Sequence, residues 1–313
     1  MSSFTESYKP LHCTLGTDPE IFAVDSKKRL LPAFNFLPHR EESPSLYWDG
    51  FAMEGNVEPR DSYTSLGLEV SGLIQRFDLA ARQANGHLTL LNAYKVPQKQ
   101  MAAATDEQIA LGCMPSFNAY GLEGKIHETS RKLTWRFAGG HIHIGNNAVL
   151  TSPAVVLEAV KAMDAVVGVA SVALTAGLDH PKRREFYGLP GEFRRPAHGV
   201  EYRVLSNFWL ISPSVFRLTF DLAKRGFELG VRGLRKELLG SEEEVVAIIR
   251  NLDVNAARTY ITRNSAFFKW CLQSAAPALS GDWGALLSRG VLQSYNIDTI
   301  TEHWQREQYL CRP

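Results

Sequence analysis

The sequence predicts an α+β fold: a mostly antiparallel, curved β-sheet flanked by helices, with a helical C-terminal part. Three observations carry this prediction. Strand-like segments come early, in hairpin-like groups. Regular strand–helix–strand alternation is missing between them. Residues 212–313 then carry mostly helical periodicity. No Pro-, Gly- or Ser-rich linker interrupts the chain, so residues 1–313 read as one domain, with its motifs in 12–210 and a helical part in 211–313.

The elements follow in order. Residues 12–25, HCTLGTDPEIFAVD, predict a strand entering a turn, and 47–58, YWDGFAMEGNVE, a second strand. Residues 61–85 predict a helix, with Leu66, Leu68, Val70, Leu73 and Ile74 facing the core. HLTLLNAYKV at 87–96 predicts another strand, and 131–145 a strand running into GGHIHIG. A long helix is expected over 152–178, capped near Ser152 with Pro153 at its first position. Residues 199–210, GVEYRVLSNFWL, predict a further strand. Helices then follow in SPSVFRLTFDLAKRGFEL, SEEEVVAIIRNL and DWGALLSRGVL.

Composition excludes several classes. The 313 residues are 45% hydrophobic and 21% charged, enough for a large core. A net charge of +1 argues against a protein that binds nucleic acid through its overall field. Cys13, Cys113, Cys271 and Cys311 are far apart and form no CxxC, so reduced thiols are expected. MSSFTESYKPLH has no apolar run, which argues against a signal peptide and for a cytoplasmic protein. The apolar stretch 154–178 is interrupted by Glu158, Lys161 and Asp164, so it predicts a buried helix and no membrane span.

Four strand-like segments carry polar residues two apart, which places them on one face. These are Asp18 and Glu20 in GTDPEIF, Glu54, Asn56 and Glu58 in DGFAMEGNVEP, His141 and His143 in GGHIHIG, and Glu201 and Arg203 in EYR. Taken singly, each reads as an ordinary polar face. Together they describe one concave surface too rich in carboxylates to exist without cations or protons. Oxygen-rich donors suit Mg²⁺, and an imidazole among them also suits Mn²⁺. Arginines beside such a site favour an anion, and phosphate is the usual one. Acids, metal and arginines around phosphate describe phosphoryl transfer. Neither a P-loop nor a GxGxxG motif after a strand is present, so any ATP is held by another scaffold.

In chain order the motifs run D-P-E, M-E-x-N, G-G-H-x-H-x-G, Y-G-x-x-G-E-F-R and G-V-E-Y-R. This order, over about residues 12–210, resembles the carboxylate–amine ligases of the glutamine synthetase and glutamate–cysteine ligase superfamily. Within them it is most similar to the phage-type COOH–NH₂ ligases, type 2. The resemblance implies a funnel-shaped antiparallel sheet that holds divalent metals around the phosphates of ATP. It implies Asp18, Glu20, Glu54, His141 and Glu201 as metal ligands, with Asp18 one methylene shorter than the acid it would match. It implies His143, Arg194 and Arg203 as contacts to phosphate or substrate, and Glu54, Arg194 and Arg203 as catalytic. Glu58, Arg183 and Arg184 have weaker claims. The implied reaction transfers the γ-phosphoryl of ATP to a carboxylate and then lets an amine displace phosphate. Its partners are small or peptide acids and amines, and homo-oligomers are common in the superfamily. The Gly- and Pro-containing loop at 187–198 is a candidate lid.

Three other readings fit parts of the pattern. A zinc or two-metal hydrolase would draw a third histidine from His12, His39, His87, His127 or His198. A phosphagen-type kinase would stop at phosphoryl transfer. A binding protein would keep the fold without turnover.

Overall fold

The structure, a computed structural model, describes residues 10–110, 116–123, 133–238, 240–273 and 283–311. Cys113 and His127 lie outside them. The described strands are β1 Thr14–Thr17, β2 Glu20–Val24, β3 Leu30–Leu31, β4 Tyr47–Asp49, β5 Ala52–Glu54, β6 Val57–Arg60, β7 His87–Thr89, β8 Ala93–Lys95, β9 Phe117–Asn118, β10 Trp135–Phe137, β11 Ile142–Gly145, β12 Glu192–Arg194 and β13 Gly199–Tyr202. They pair antiparallel throughout. One sheet has six strands in the order β6-β1-β11-β13-β12-β9. A second has the order β3-β2-β5-β4, with β7 also on β2. β10 and β8 form a third. The α+β expectation with antiparallel sheets holds.

The expected long strands are broken into shorter elements. Residues 12–25 form β1 and β2, which lie in different sheets and are broken at Asp18–Pro19. Proline has no N–H for a ladder, which favours a break there. Residues 47–58 form β4 and β5 of one sheet and the start of β6 in another. The segment 87–96 is likewise split, into β7 and β8.

In the six-stranded sheet the alternation is regular. Leu15, Ile144 and Val200 pair across β1, β11 and β13, and Ile142, Tyr202 and Phe193 across β11, β13 and β12. All six are buried in the main core, which includes residues from Cys13 to Cys311. Each large aliphatic side chain buried this way contributes about 1.5–3 kcal/mol. This apolar face fixes the register, because a slip of one residue would send it to the opposite side.

Helices complete the core. The helix Tyr63–Gln83 is capped by the Ser62 side chain and buries Leu66, Val70, Leu73 and Ile74 as expected. Leu68 is 43% exposed, because the buried stripe runs through 66, 70, 73, 74 and 77 and position 68 falls off it. The helix expected over 152–178 is three pieces: Pro153–Met163, a π-turn at Asp164–Gly168, and Val169–Leu174. The helix Pro213–Val231 packs on the first piece. A β-carbon at Gly230 would lie 2.4 Å from the Ala159 Cα, so glycine permits this close approach.

Candidate functional site

The face of the six-stranded sheet opposite the core carries the polar groups. Gly16, His143, Glu201 and Arg194 are register partners across β1, β11, β13 and β12, so they form one row. The alternation in HIHI and VEY sets this directly: isoleucine, valine and tyrosine point to the core, histidine and glutamate away from it. Asp18 stands at the corner after β1. Its Oδ1 lies 3.1 Å from His143 Nε2 and 3.1 Å from His141 Nδ1. Glu201 Oε1 lies 3.5 Å from His141 Nδ1 and 3.7 Å from Arg194 Nη1, and it accepts a hydrogen bond from Arg203 Nη1. Ligand atoms of Asp18, His143 and Glu201 all fall within 4.8 Å of one another.

The second sheet supplies another acidic group. Glu20 of β2 pairs with Glu54 of β5, which pairs with Tyr47 of β4. Asp49 ends β4, just before the turn into β5. Ligand atoms of Glu20, Asp49 and Glu54 again fall within 4.8 Å. The Glu20 carboxylate accepts the Gly139 N–H at 2.7 Å, and Glu54 accepts the Tyr47 hydroxyl at 2.7 Å.

Tyr187 lies between the groups. Its hydroxyl meets His141 Nε2, and it lies 3.4 Å from Glu20 Oε1 and 3.4 Å from Arg203 Nη2. Gly139 lets these parts approach: a β-carbon there would fall 2.7 Å from both His141 Nε2 and the Tyr187 hydroxyl.

The two groups differ electrically. Burial opposes ionisation of Asp18, but His143 and His141 hold its carboxyl well below the usual range. His143 is raised, because Asp18 outweighs the burial that opposes its charge. In the second group burial pushes Asp49 up to about 7, with Glu20 adding to it and Arg203, Arg40 and Arg194 opposing. Burial likewise raises Glu54 well above its ordinary value, reinforced by Asp49, Asp18 and Glu20. Asp49 and Glu54 resist ionising where they crowd together with Glu20, and such a group is one that a cation would complete. The residues therefore fit divalent metal: an all-oxygen group in one sheet, and two carboxylates with an imidazole in the other.

Every expected site residue can now be placed. Asp18, Glu20, Glu54, His141, His143, Arg194, Glu201 and Arg203 converge, although Asp18 and Glu20 arrive from two sides of a corner instead of sharing a strand face. Glu58 does not converge: it is exposed on β6, beyond the break at Gly55–Asn56. Ligand atoms of His143 group with those of Asp18 and Glu201, and His141 Nδ1 faces the same two carboxylates at 3.1 Å and 3.5 Å, so both imidazoles of the H-x-H strand stand against Asp18 and Glu201. Arg183 and Arg184 are buried and hold backbone: Arg183 donates to the carbonyls of Val204 and Leu205, and Arg184 to those of Gly188 and Val204. The expected lid at 187–198 is largely fixed, since β12 is hydrogen-bonded to β13 and β9 and Tyr187 and Leu189 are buried. Of the histidines considered for a hydrolase, His198 stacks on His143 at 5.6 Å, whereas His39 and His87 pair with Glu107 and Asp298.

Sequence reasoning missed Asp49 and Tyr187. Asp49 opens the quoted DGFAMEGNVEP, but its role depends on a hairpin that folds it back over Ala52. Tyr187 opens YGLPGEFRR, in a turn with no periodicity to reveal its direction. Arg40 was also unmarked; its guanidinium lies over the Tyr47 ring at 5.1 Å.

This α+β fold with a carboxylate-, imidazole- and arginine-lined site defines a class of candidate metal-assisted enzymes. Residues 130–245 match the family model described as Phage phiEco32-like COOH.NH2 ligase-type 2. That interval holds His141, His143, Arg194, Glu201 and Arg203, and it supports a carboxylate–amine ligase. No curated protein sequence matches the chain. Among solved structures, a bifunctional glutathione synthetase from Pasteurella multocida is similar over 96% of this chain and 52% of that one, with a TM-score of 0.46 and 11% identity. The chain thus spans about half the length of that protein. Among the described residues no helix is long and apolar enough to cross a membrane.

Proposed function

We propose that the protein is an ATP-dependent carboxylate–amine ligase with a divalent-metal site of the glutamine synthetase type. The observation that carries this reading is the meeting of two donor groups, Asp18–His143–Glu201 and Glu20–Asp49–Glu54, beside Arg194 and Arg203. Mg²⁺ or Mn²⁺ held by these residues would neutralise phosphate charge and orient the phosphates. Arg194, about a quarter exposed, supplies a guanidinium at the open side for the transferred phosphoryl group. Arg203 is buried against Glu201 and Tyr187, so it holds the carboxylate row in place and adds positive charge from behind.

The reaction follows in two steps. A carboxylate oxygen of the acid attacks the γ-phosphorus, the bond to the bridging oxygen breaks, and ADP leaves. The amine nitrogen then attacks the acyl carbon, phosphate leaves with the bonding electron pair, and the nitrogen loses a proton as the amide forms. A small or peptide acid and amine fit this chemistry.

The test is ADP release with ATP, Mg²⁺ or Mn²⁺, and a panel of amino acids and amines, with Glu201→Gln alongside. ADP that appears only when acid and amine are both present, and is lost in Glu201→Gln, is the expected result. ADP formed with the acid alone, together with a stable phosphorylated product, would make the protein a kinase. ATP-independent cleavage of an amide or ester would make it a hydrolase.

A further inference from the structure

Away from the carboxylate groups, three helices of the C-terminal part surround a cavity of about 250 Å³. Each helix turns one stripe toward it. Arg258, Ile261 and Thr262 recur at i, i+3 and i+4 on Val254–Arg263, so they share a face. Ser265 and Phe268 do the same on Ser265–Gln273, and Leu287 and Ser288 close the cavity from Trp283–Arg289. Two of these helices, Val254–Arg263 and Trp283–Arg289, pack against Val169–Leu174.

The lining is sorted by polarity. Ile261, Phe268 and Leu287 are buried and form an apolar floor. The hydroxyl residues Thr262, Ser265 and Ser288 are exposed and form the mouth, beside the half-buried Arg258. Arg258 Nε is buried without a hydrogen-bond partner, and no acid or carbonyl pairs with the guanidinium among the described residues. A guanidinium stays charged and presents its donors in a fixed fork that matches a carboxylate.

These features narrow the ligand. A neutral apolar molecule would leave the guanidinium unpaired. A bare inorganic anion would leave the apolar floor uncovered. An amine or a zwitterion would bring a cation with no acid to meet it, because no Asp or Glu lines the cavity among the described residues. At roughly 30 Å³ for each water-sized group, the volume holds about eight of them, the size of a carboxylate on a tail of about five carbons. We propose that this cavity is a second ligand site, which binds a small monocarboxylic acid with an apolar tail. The carboxylate lies on Arg258 at the mouth, within reach of the hydroxyls there, and the tail lies on Ile261, Phe268 and Leu287. None of these residues belongs to the two donor groups, so the site stands whether or not the ligase reading does.

The experiment uses the full chain, without ATP or metal, and titrates hexanoate by calorimetry. Hexanamide supplies the tail without the charge, and acetate the charge without the tail. Saturable binding of one hexanoate per chain is expected. Acetate should bind about 100-fold more weakly for the four methylenes it lacks, and hexanamide about 10-fold or more weakly for the lost charge. The reaction proposed above also takes a carboxylate, so a variant decides the place. Arg258→Gln should weaken hexanoate binding at least about 10-fold. Should that variant fail to fold, Thr262→Trp, at the exposed mouth, should abolish hexanoate binding by filling the cavity. No saturable binding of hexanoate overturns the proposal, as does acetate or hexanamide binding as tightly. Wild-type affinity in the folded variant places the acid elsewhere and overturns it too.

Discussion

Asp164 offers a stability test that is independent of the metal site. It opens the π-turn Asp164–Gly168, is fully buried, and accepts the Tyr202 hydroxyl at 2.6 Å. Tyr202 follows Glu201 on β13, so this contact braces the strand from its core side. Burial raises the Asp164 carboxyl from an ordinary 3.8 to about 7, against the opposing pull of Tyr202, Gly191 and Tyr120. Between those two pH values the folded chain holds a proton that the unfolded chain has released, so stability falls as pH rises through this window. At about 1.36 kcal/mol per pH unit, the full window corresponds to a loss on the order of 4 kcal/mol. Asp164→Asn keeps an acceptor for Tyr202 and cannot ionise. Its buried amide hydrogens cost about 1–3 kcal/mol at every pH, which displaces the curve without tilting it. Thermal midpoints of both proteins, measured in EDTA from pH 4.5 to 8.5, give the difference curve. Other raised acids, Asp49 and Glu228 among them, occur in both proteins and cancel. With about 2 °C per kcal/mol for a chain of this size, the variant should gain about 6 °C on wild type across the range. A difference that stays constant with pH would show that Asp164 ionises normally and would refute the reasoning.

Two further outcomes follow from the site. Gly139→Ala drives a β-carbon against His141 and Tyr187, so Mn²⁺ affinity should fall at least 10-fold while the far-ultraviolet circular dichroism stays that of wild type; unchanged affinity would mean the three groups are not packed as described. Glu58→Gln should leave both ADP release and the thermal midpoint within error, since an exposed side chain away from special features changes stability by no more than about 0.5 kcal/mol.

The parts of the site readable in the sequence are those governed by strand alternation. HIHI and VEY each sort apolar from polar side chains, and His143 and Glu201 duly meet across a ladder with Ile144 and Val200 beneath. Alternation fails where the backbone leaves the ladder. Asp18 and Glu20 are two apart, but Pro19 between them ends the pairing, and the two acids join different donor groups. Tyr187 and Asp49 act through a turn and a hairpin, which have no period to read. The π-turn was hidden for another reason. Residues 162–174 are buried on every side, so the apolar pattern there carries no phase, and an extra residue inserted in a turn leaves no trace in it.

The break at Pro19 also explains why the acids gather at all. β1 pairs with β6 in one sheet, and β2 pairs with β5 in the other. The same two-stranded ribbon therefore runs through both sheets, and both of its strands change sheet at one level: Asp18–Pro19 on one side, Gly55–Asn56 on the other. Its register is irregular just before the bend, between Leu15 and Thr17. Bends and bulges of this kind are how strands turn a corner between sheets. A straight ribbon would spread Asp18, Glu20, Glu54 and Glu58 along a line of ordinary surface acids. The bent ribbon turns the first three inward, toward His143 and Glu201 on the neighbouring strands, and leaves Glu58 in solvent. The geometry that crowds the carboxylates is therefore set by the backbone, and the chain relieves their repulsion in two ways: two imidazoles offset Asp18, and three arginines on separate segments partly oppose the upward shift of Asp49.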